Sequence, residues 1–454
     1  MSDPQAYIRR ELDRFQEELF DFLRIPSVSA SSQHAADTRD AASWLRDRMQ
    51  EAGLDAEVVD TDGHPIVLGE WLEAGEDAPT ILVYGHYDVQ PPEPLDEWDS
   101  PPFEPEVRDG RIYARGSTDD KGQLYMHVKA AEAFLRDGGE LPVNLIVLAE
   151  GEEEVGSPNL VPFVEAHRER LACDAVVISD TNMFSPELPS LLFSLRGLAY
   201  FELRVRGPRS DLHSGNYGGA VVNPANALAR IISTLHDDEG RIAIEGFYDD
   251  VLDWDEETLE TIRSLPFDDE EFRDEVGAPD LGGEAGFSTP ERLWTRPTCD
   301  VNGLLSGYTG EGAKTVLPAK SMAKVSFRLV PEQTPGRVRD LFEAHVKKVA
   351  PPGVAVEITE LHGGRPWKAE PEGRLFDAAS RALKESFGTE PVLQGEGGSI
   401  PIVVEFEQIL GAPCLLLGFG LPGSNMHAPN EWFRLENFQK GIGALARLYE
   451  ELGG

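Results

Sequence analysis

Lysine and cysteine are both scarce in this chain. Its 454 residues include 41 Lys plus Arg against 81 Asp plus Glu, a formal net charge of −40, and only 10 of the basic residues are lysine. A dense basic face is therefore missing, which excludes nucleic acid and anionic membrane surfaces as partners, since both are bound through phosphate-neutralising Lys and Arg. Cys173, Cys299 and Cys414 are odd in number and scattered, with no Cys-x-x-Cys pair. That argues against a disulfide framework and for core thiols. No apolar run approaches the roughly 18 residues that cross a bilayer. The stretch Met1–Tyr7 lacks the basic start and apolar core of a secretory signal, and no Asn-x-Ser/Thr sequon occurs. The simplest address is the cytoplasm.

The acid excess with depleted lysine fits a salt-rich interior, where screening relieves self-repulsion, and an ordinary cytoplasm accommodates it equally. Disorder does not follow, because 41% of the residues are hydrophobic and the 44 Gly and 33 Pro stay below low-complexity levels. At roughly 150 residues per domain the length allows two to four domains.

Apolar residues at helical spacing predict a helix over residues 4–24, ended by Pro26, and a second over 37–52, closed by Gly53. The runs 65–68, 80–84, 141–148 and 175–178 read as strands, the last two almost bare of polar residues, as in a sheet covered on both faces. With a helix over 122–135 between them, the first 190 residues read as an α/β layer structure. After Ser185-Pro186-Glu187-Leu188-Pro189 the pattern changes. Alternating strands at 200–205, 323–329 and 354–360 and helices at 223–236 and 335–349 fit a small α+β sandwich on an antiparallel sheet. Residues 237–298, rich in acid, read as a solvated helical insertion. The α/β pattern returns from about Arg374 and closes with a helix over 435–452. The expected architecture is an α/β domain, with a mixed, mostly parallel sheet sandwiched by helices, made of residues 1–192 and 369–454. It is interrupted by an inserted α+β lid or dimerisation domain, 193–368.

The chemistry-bearing residues lie just past apolar strands, where α/β sheets hold their ligands. In Ile81-Leu82-Val83-Tyr84-Gly85-His86-Tyr87-Asp88, the histidine and aspartate two apart share one face of an extended backbone. Asp88 can therefore accept from the imidazole nitrogen that a metal leaves free. Alone, the pair reads as readily as a surface hydrogen bond. Asp119-Asp120 before a helix serves equally as a cap. The run Glu152-Glu153-Glu154 follows a nearly all-apolar strand, and three glutamates emerging there repel one another unless a cation sits among them. Asp180 and His427 complete the set. Carboxylate and imidazole donors from five segments suit Zn²⁺, Mn²⁺ or Co²⁺ better than Ca²⁺, and two ions sharing a carboxylate would mark a catalytic site.

The segments Gly85-His86-Tyr87-Asp88-Val89-Gln90-Pro91, Ala114-Arg115-Gly116-Ser117-Thr118-Asp119-Asp120-Lys121-Gly122, Glu150-Gly151-Glu152-Glu153-Glu154-Val155-Gly156-Ser157, Asp211-Leu212-His213-Ser214-Gly215 and Gly397-Gly398-Ser399-Ile400-Pro401 resemble the co-catalytic dinuclear metallopeptidases, among them carnosinase and cytosolic non-specific dipeptidase. The likeness runs from Ile25 to the last helix. It implies that Asp119 bridges two metal ions, most often Zn²⁺, with His86 and Asp180 on one and Glu154 and His427 on the other. It also implies a cis Asp119–Asp120 peptide, Asp88 behind His86, and Glu153 as general base toward a water bridging the metals. His213 would donate to the oxyanion, from the same chain or a second subunit. Arg328, with Gly397, Gly398 and Ser399, would clamp the substrate carboxylate; an edge salt bridge is the competing reading of Arg328. Aspartate at 180 resembles the dipeptidase and aminopeptidase branch. Hydrolysis of dipeptides or short peptides by a homodimer joined through the inserted domain is the implied function, with N-acyl-amino-acid deacylation, of the acetylornithine or succinyl-diaminopimelate kind, as the alternative. A non-catalytic relative would be expected to have lost the base or a ligand, and all are present here.

Overall fold

A computed structural model of the chain describes residues 3–454; Met1 and Ser2, where the first expected segment begins, lie outside the described residues. The chain divides into two compact units, one of residues up to 193 with 369–394 and 405–454, the other of residues 194–368 and 395–404. The short segment 395–404, which the sequence places in the returning part of the first domain, groups with the second unit. Hydrogen bonds hold it there: the Arg196 N–H donates to the Glu396 carbonyl at 3.2 Å, and the Ser399 hydroxyl donates to the Arg196 carbonyl.

In the first unit the sheet runs Asp55–Val59, Ile66–Trp71, Asn144–Glu150, Thr80–His86, Ala175–Ile178, Cys414–Leu416 and Ser190–Leu195. Pairing is parallel among the four strands from Asn144–Glu150 to Cys414–Leu416 and antiparallel on both flanks. Every residue of Asn144–Glu150 and Ala175–Ile178 is buried, as befits strands covered on both faces. Five long helices accompany the sheet: Pro4–Leu23, Ala35–Ala52, Lys121–Asp137, Arg374–Phe387 and Leu435–Gly453. The first starts where the Asp3 side chain accepts the Ala6 N–H at 2.9 Å, ahead of Pro4. It buries Tyr7, Ile8, Phe15, Leu19, Phe22 and Leu23, each worth about 1.5–3 kcal/mol when removed from water. The second stops at Gly53, whose φ of 109° a residue with a Cβ adopts only under strain.

The second unit carries a four-stranded antiparallel sheet ordered Thr298–Ser306, Lys320–Leu329, Gly197–Arg206, Ala355–Gly364. Its alternating residues Phe201, Leu203, Val205, Val325, Phe327 and Leu329 form one core with Leu228 and Ile231 of the helix Pro224–Ile232 and Phe342 of Pro335–Val349. The strand Thr298–Ser306 is not foreseen by the sequence reading, because Asp300, Asn302 and Gly303 and a bulge between Val301 and Gly303 break its alternation. The acidic insertion is helical only at Glu256–Arg263, Asp269–Val276 and Thr289–Trp294. Several of its acids cap rather than fill helices: Asp255 accepts the Thr258 N–H, and Asp268 those of Glu270 and Glu271.

Candidate metal centre

His86 ends Thr80–His86, Glu150 ends the neighbouring parallel strand, and Asp180 lies two residues past Ala175–Ile178, so three carboxyl-terminal strand ends open on one edge of the sheet. Asp119 stands just ahead of the helix Lys121–Asp137, and the Asp119–Asp120 peptide is cis. His427 reaches the same place from the loop after Cys414–Leu416, with φ at 61°, a left-handed conformation that costs a non-glycine residue on the order of 1 kcal/mol or more.

These segments bring together two groups of donors that share Asp119. His86 Nε2 lies 3.0 Å from Asp119 Oδ1 and 3.8 Å from Asp180 Oδ2; His427 Nε2 lies 2.8 Å from Asp119 Oδ2 and 3.4 Å from Glu154 Oε2. Asp119 thus offers one oxygen to each group. His86 Nδ1 faces the Asp88 backbone carbonyl at 3.1 Å and its Oδ1 at 3.4 Å. Asp88 has a second task, since its carboxylate accepts the N–H groups of Glu153 at 3.3 Å and Glu154 at 3.1 Å. Gln90 Nε2 donates to Glu154 Oε2 at 2.7 Å.

Two more carboxylates hold this loop work in place: Glu431, which the sequence does not single out, and Asp120, which it marks only as a possible cap. Glu431, fully buried, accepts the N–H groups of Thr118 at 2.9 Å and Asp119 at 3.1 Å on one oxygen. Its other oxygen takes the Gly116 N–H at 2.9 Å and Arg115 Nη1 at 2.8 Å. Asp120 Oδ2 accepts the His86 N–H at 3.2 Å. The available signal for Glu431 is its place four residues after His427, too slight to stand out among 81 acids.

Burial dominates the electrostatics. It raises the pKa of Glu154 to about 8, helped by the Asp119 charge, and raises Glu153 and Asp180 as well. His427 is raised to about 9, chiefly by its hydrogen bond to Asp119. Burial pulls His86 down, but its contacts with Asp119 and Asp88 outweigh that and hold it well above an ordinary histidine. Asp119 is held low by the two imidazoles against its own desolvation. Four carboxylates at such close quarters carry protons or need cations. Donors of nitrogen and oxygen only, in two groups of three, fit two borderline divalent ions with positions left open.

The other expected residues lie in the second unit. His213 is exposed on the two-residue strand Leu212–His213; its Nδ1 accepts the Gly215 N–H at 3.0 Å, which puts the neutral ring's proton on Nε2. Arg328 Nη1 donates to Ser399 Oγ at 3.0 Å. Among the described residues Arg328 makes no ion pair, so the edge salt bridge is not formed. The Gly397 N–H donates to the Glu396 carboxylate at 2.9 Å.

A shared aspartate between two histidine–carboxylate groups at the strand ends of a mixed α/β sheet is a donor set of the kind a dinuclear metal-dependent hydrolase needs. The comparisons narrow the class. Residues 82–451 match the model of peptidase family M20/M25/M40, and the chain belongs to that family and is a metallopeptidase. It is 35% identical over 463 residues to the Cys-Gly metallodipeptidase of Schizosaccharomyces pombe, covering 98% of this chain and 97% of the relative. It is 30% identical to the human Beta-Ala-His dipeptidase, covering 97% and 86% respectively. An M20 family metallo-carboxypeptidase from Sulfolobus solfataricus superposes with a TM-score of 0.87 at 36% identity, over 97% of this chain and 99% of that one.

Proposed function

We propose that this chain hydrolyses the peptide bond of dipeptides and short peptides. His86, Asp119 and Asp180 hold one divalent cation, Asp119, Glu154 and His427 hold another, and Zn²⁺ is the first choice ahead of Mn²⁺ or Co²⁺. The observation that carries the reading is Asp119, whose two carboxylate oxygens each face a different histidine, while Glu153, half-buried and next in sequence to Glu154, belongs to neither group of donors. Bound there, such cations supply Lewis-acid polarisation of a carbonyl and lower the pKa of an attacking water.

The chain's own residues do the rest. Glu153 takes the water's proton and returns it to the leaving amine, a task suited by a pKa that burial raises above the usual carboxylate value. Asp88 orients the His86 ring and fixes the backbone of Glu153 and Glu154. His213 donates its Nε2 proton to the developing oxyanion. Arg328 and Ser399 hold the substrate carboxylate. The dipeptidase names of relatives at 30–35% identity support this over deacylation. The archaeal neighbour's carboxypeptidase name extends the substrate range to be tested to tripeptides.

A cytoplasmic homodimer joined through the second unit belongs to the same proposal. Val301, Leu304 and Leu305 are exposed on the edge strand Thr298–Ser306, apolar side chains that a partner pairing with this edge would cover. No helix among the described residues is long and apolar enough to cross a membrane. Purified protein supplied with Zn²⁺ or Mn²⁺ and offered dipeptides, tripeptides and N-acetyl amino acids tests the reaction, and sedimentation tests the dimer.

A further inference from the structure

Arg196 is the last residue before the strand Gly197–Arg206, and its guanidinium is turned inward with only 9% of the residue exposed. It is tied to the loop 396–399 three times. Its N–H donates to the Glu396 carbonyl at 3.2 Å, its carbonyl accepts the Ser399 hydroxyl, and its Nε donates to the Gly397 carbonyl at 3.1 Å. A Cβ on Gly397 would stand 2.8 Å from Arg196 Nη2, so glycine is what lets the guanidinium lie against this loop. Ser399 Oγ receives Arg328 Nη1 in turn, and one hydroxyl therefore links the two arginines.

What is missing is an acceptor. Arg196 Nη1 is buried and, among the described residues, has no hydrogen-bond partner, and Arg196 makes no ion pair. The carboxylates whose charges act on it are Glu396, which accepts the Gly397 N–H, and Asp300, which accepts the Thr298 hydroxyl. A guanidinium cannot shed its charge as an amine does, so leaving a buried Nη1 of Arg196 without an acceptor, beside the half-buried Arg328, is costly even with the Glu396 and Asp300 charges nearby. The strain registers in Arg196 itself, whose pKa burial and the neighbouring Arg328 push down to about 10.

We propose that Arg196 is a substrate-binding residue, the second guanidinium of a subsite that reads a carboxylate, with Arg328 and the Ser399 hydroxyl as its other donors. The ligand class is the free C-terminal carboxylate of a short peptide. Nη1 supplies the hydrogen bond, and the pair of guanidinium groups makes the subsite select against neutral C-termini. This rests on the peptidase reading above for its substrate, and it adds Arg196 to the carboxylate's contacts.

The test uses the full chain loaded with divalent metal and carrying Glu153→Gln, so that ligand is bound without being consumed. Calorimetry compares a dipeptide with the same dipeptide as its C-terminal amide, in this background and with Arg196→Gln or Arg196→Lys added. The expected result is a free-acid preference of about tenfold or more that falls to less than about threefold in Arg196→Gln. Arg196→Lys, which keeps charge but loses the fork, is expected between the two, and the amide's Kd stays unchanged throughout. A preference that survives Arg196→Gln, an equal weakening of acid and amide, or no preference before the substitution overturns the proposal. Tight, Arg196-dependent binding by a chain whose unsubstituted form cleaves no peptide would leave this subsite standing and sink the peptidase function instead.

Discussion

Glu431 accepts the backbone N–H of Asp119 at 3.1 Å, across 312 residues of sequence. The same carboxylate holds Gly116, Thr118 and Arg115, and it sits four residues beyond His427. One buried side chain therefore ties the loop of the shared aspartate to the loop of the histidine facing it. Glu431→Gln keeps the shape but turns one acceptor into a donor aimed at N–H groups. Metal affinity is expected to fall about 10- to 100-fold, the usual cost of losing a group that orients a ligand. Glu431→Ala also strands the Arg115 guanidinium and is expected to cost about 3–5 kcal/mol of stability. Metal titration and urea melts of both variants check this; unchanged affinity in Glu431→Gln would remove its positioning role.

Gly122 opens the helix behind Asp119, and a Cβ there would stand 2.0 Å from the Ser117 carbonyl oxygen. Backbone, not a flexible side chain, must yield. Gly122→Ala is expected to destabilise the protein by about 1–3 kcal/mol and to weaken metal uptake with it, because Ser117 belongs to the Asp119 loop. Thermal melts with and without Zn²⁺ read both effects, and a wild-type melt would contradict them.

His127 lies fully buried between the Tyr449 hydroxyl at 3.0 Å and the Ser179 hydroxyl at 2.7 Å, and burial pushes its pKa down to about 3. The folded chain refuses a proton that the unfolded chain accepts below about 6.5. The stability linked to the neutral ring is whole above that pH and is lost as pH falls toward 3, at about 1.4 kcal/mol per unit. Between pH 7 and 5, wild type is expected to lose about 2 kcal/mol more than His127→Gln. Parallel losses in urea titrations at the two pH values would show that this ring does not govern the acid slope.

The charge of −40 makes its own prediction. Many of the acids lie exposed, as in the insertion around Asp268–Glu271, and molar KCl is expected to raise the melting temperature by screening their repulsion. A melt indifferent to salt would mean that the surface carries its charge without strain.

The sequence made the strand ends legible because the chemistry there is local: His86 with Asp88, Asp119 with Asp120, and the glutamate run each sit within a few residues. The helices Pro4–Leu23 and Pro335–Val349 were equally legible, since their apolar spacing and terminal prolines act locally. Glu431 and Arg196 were not, because their partners are hundreds of residues away and each looks like one ordinary charge in its own segment. The strand Thr298–Ser306 hid for a different reason, its pairing surviving a bulge and polar residues that erase the alternation.

The central claim is that Glu153 moves the proton for peptide-bond hydrolysis at a centre built on Asp119. It is tested most directly by dipeptide turnover and bound metal measured together in wild type and Glu153→Ala. The account predicts that wild type cleaves free dipeptides in preference to N-acetyl amino acids. It also predicts that Glu153→Ala loses at least about 10²-fold in kcat while still binding two metal ions per chain. Turnover of only the acetylated compounds, or a Glu153→Ala enzyme as fast as wild type, would contradict it.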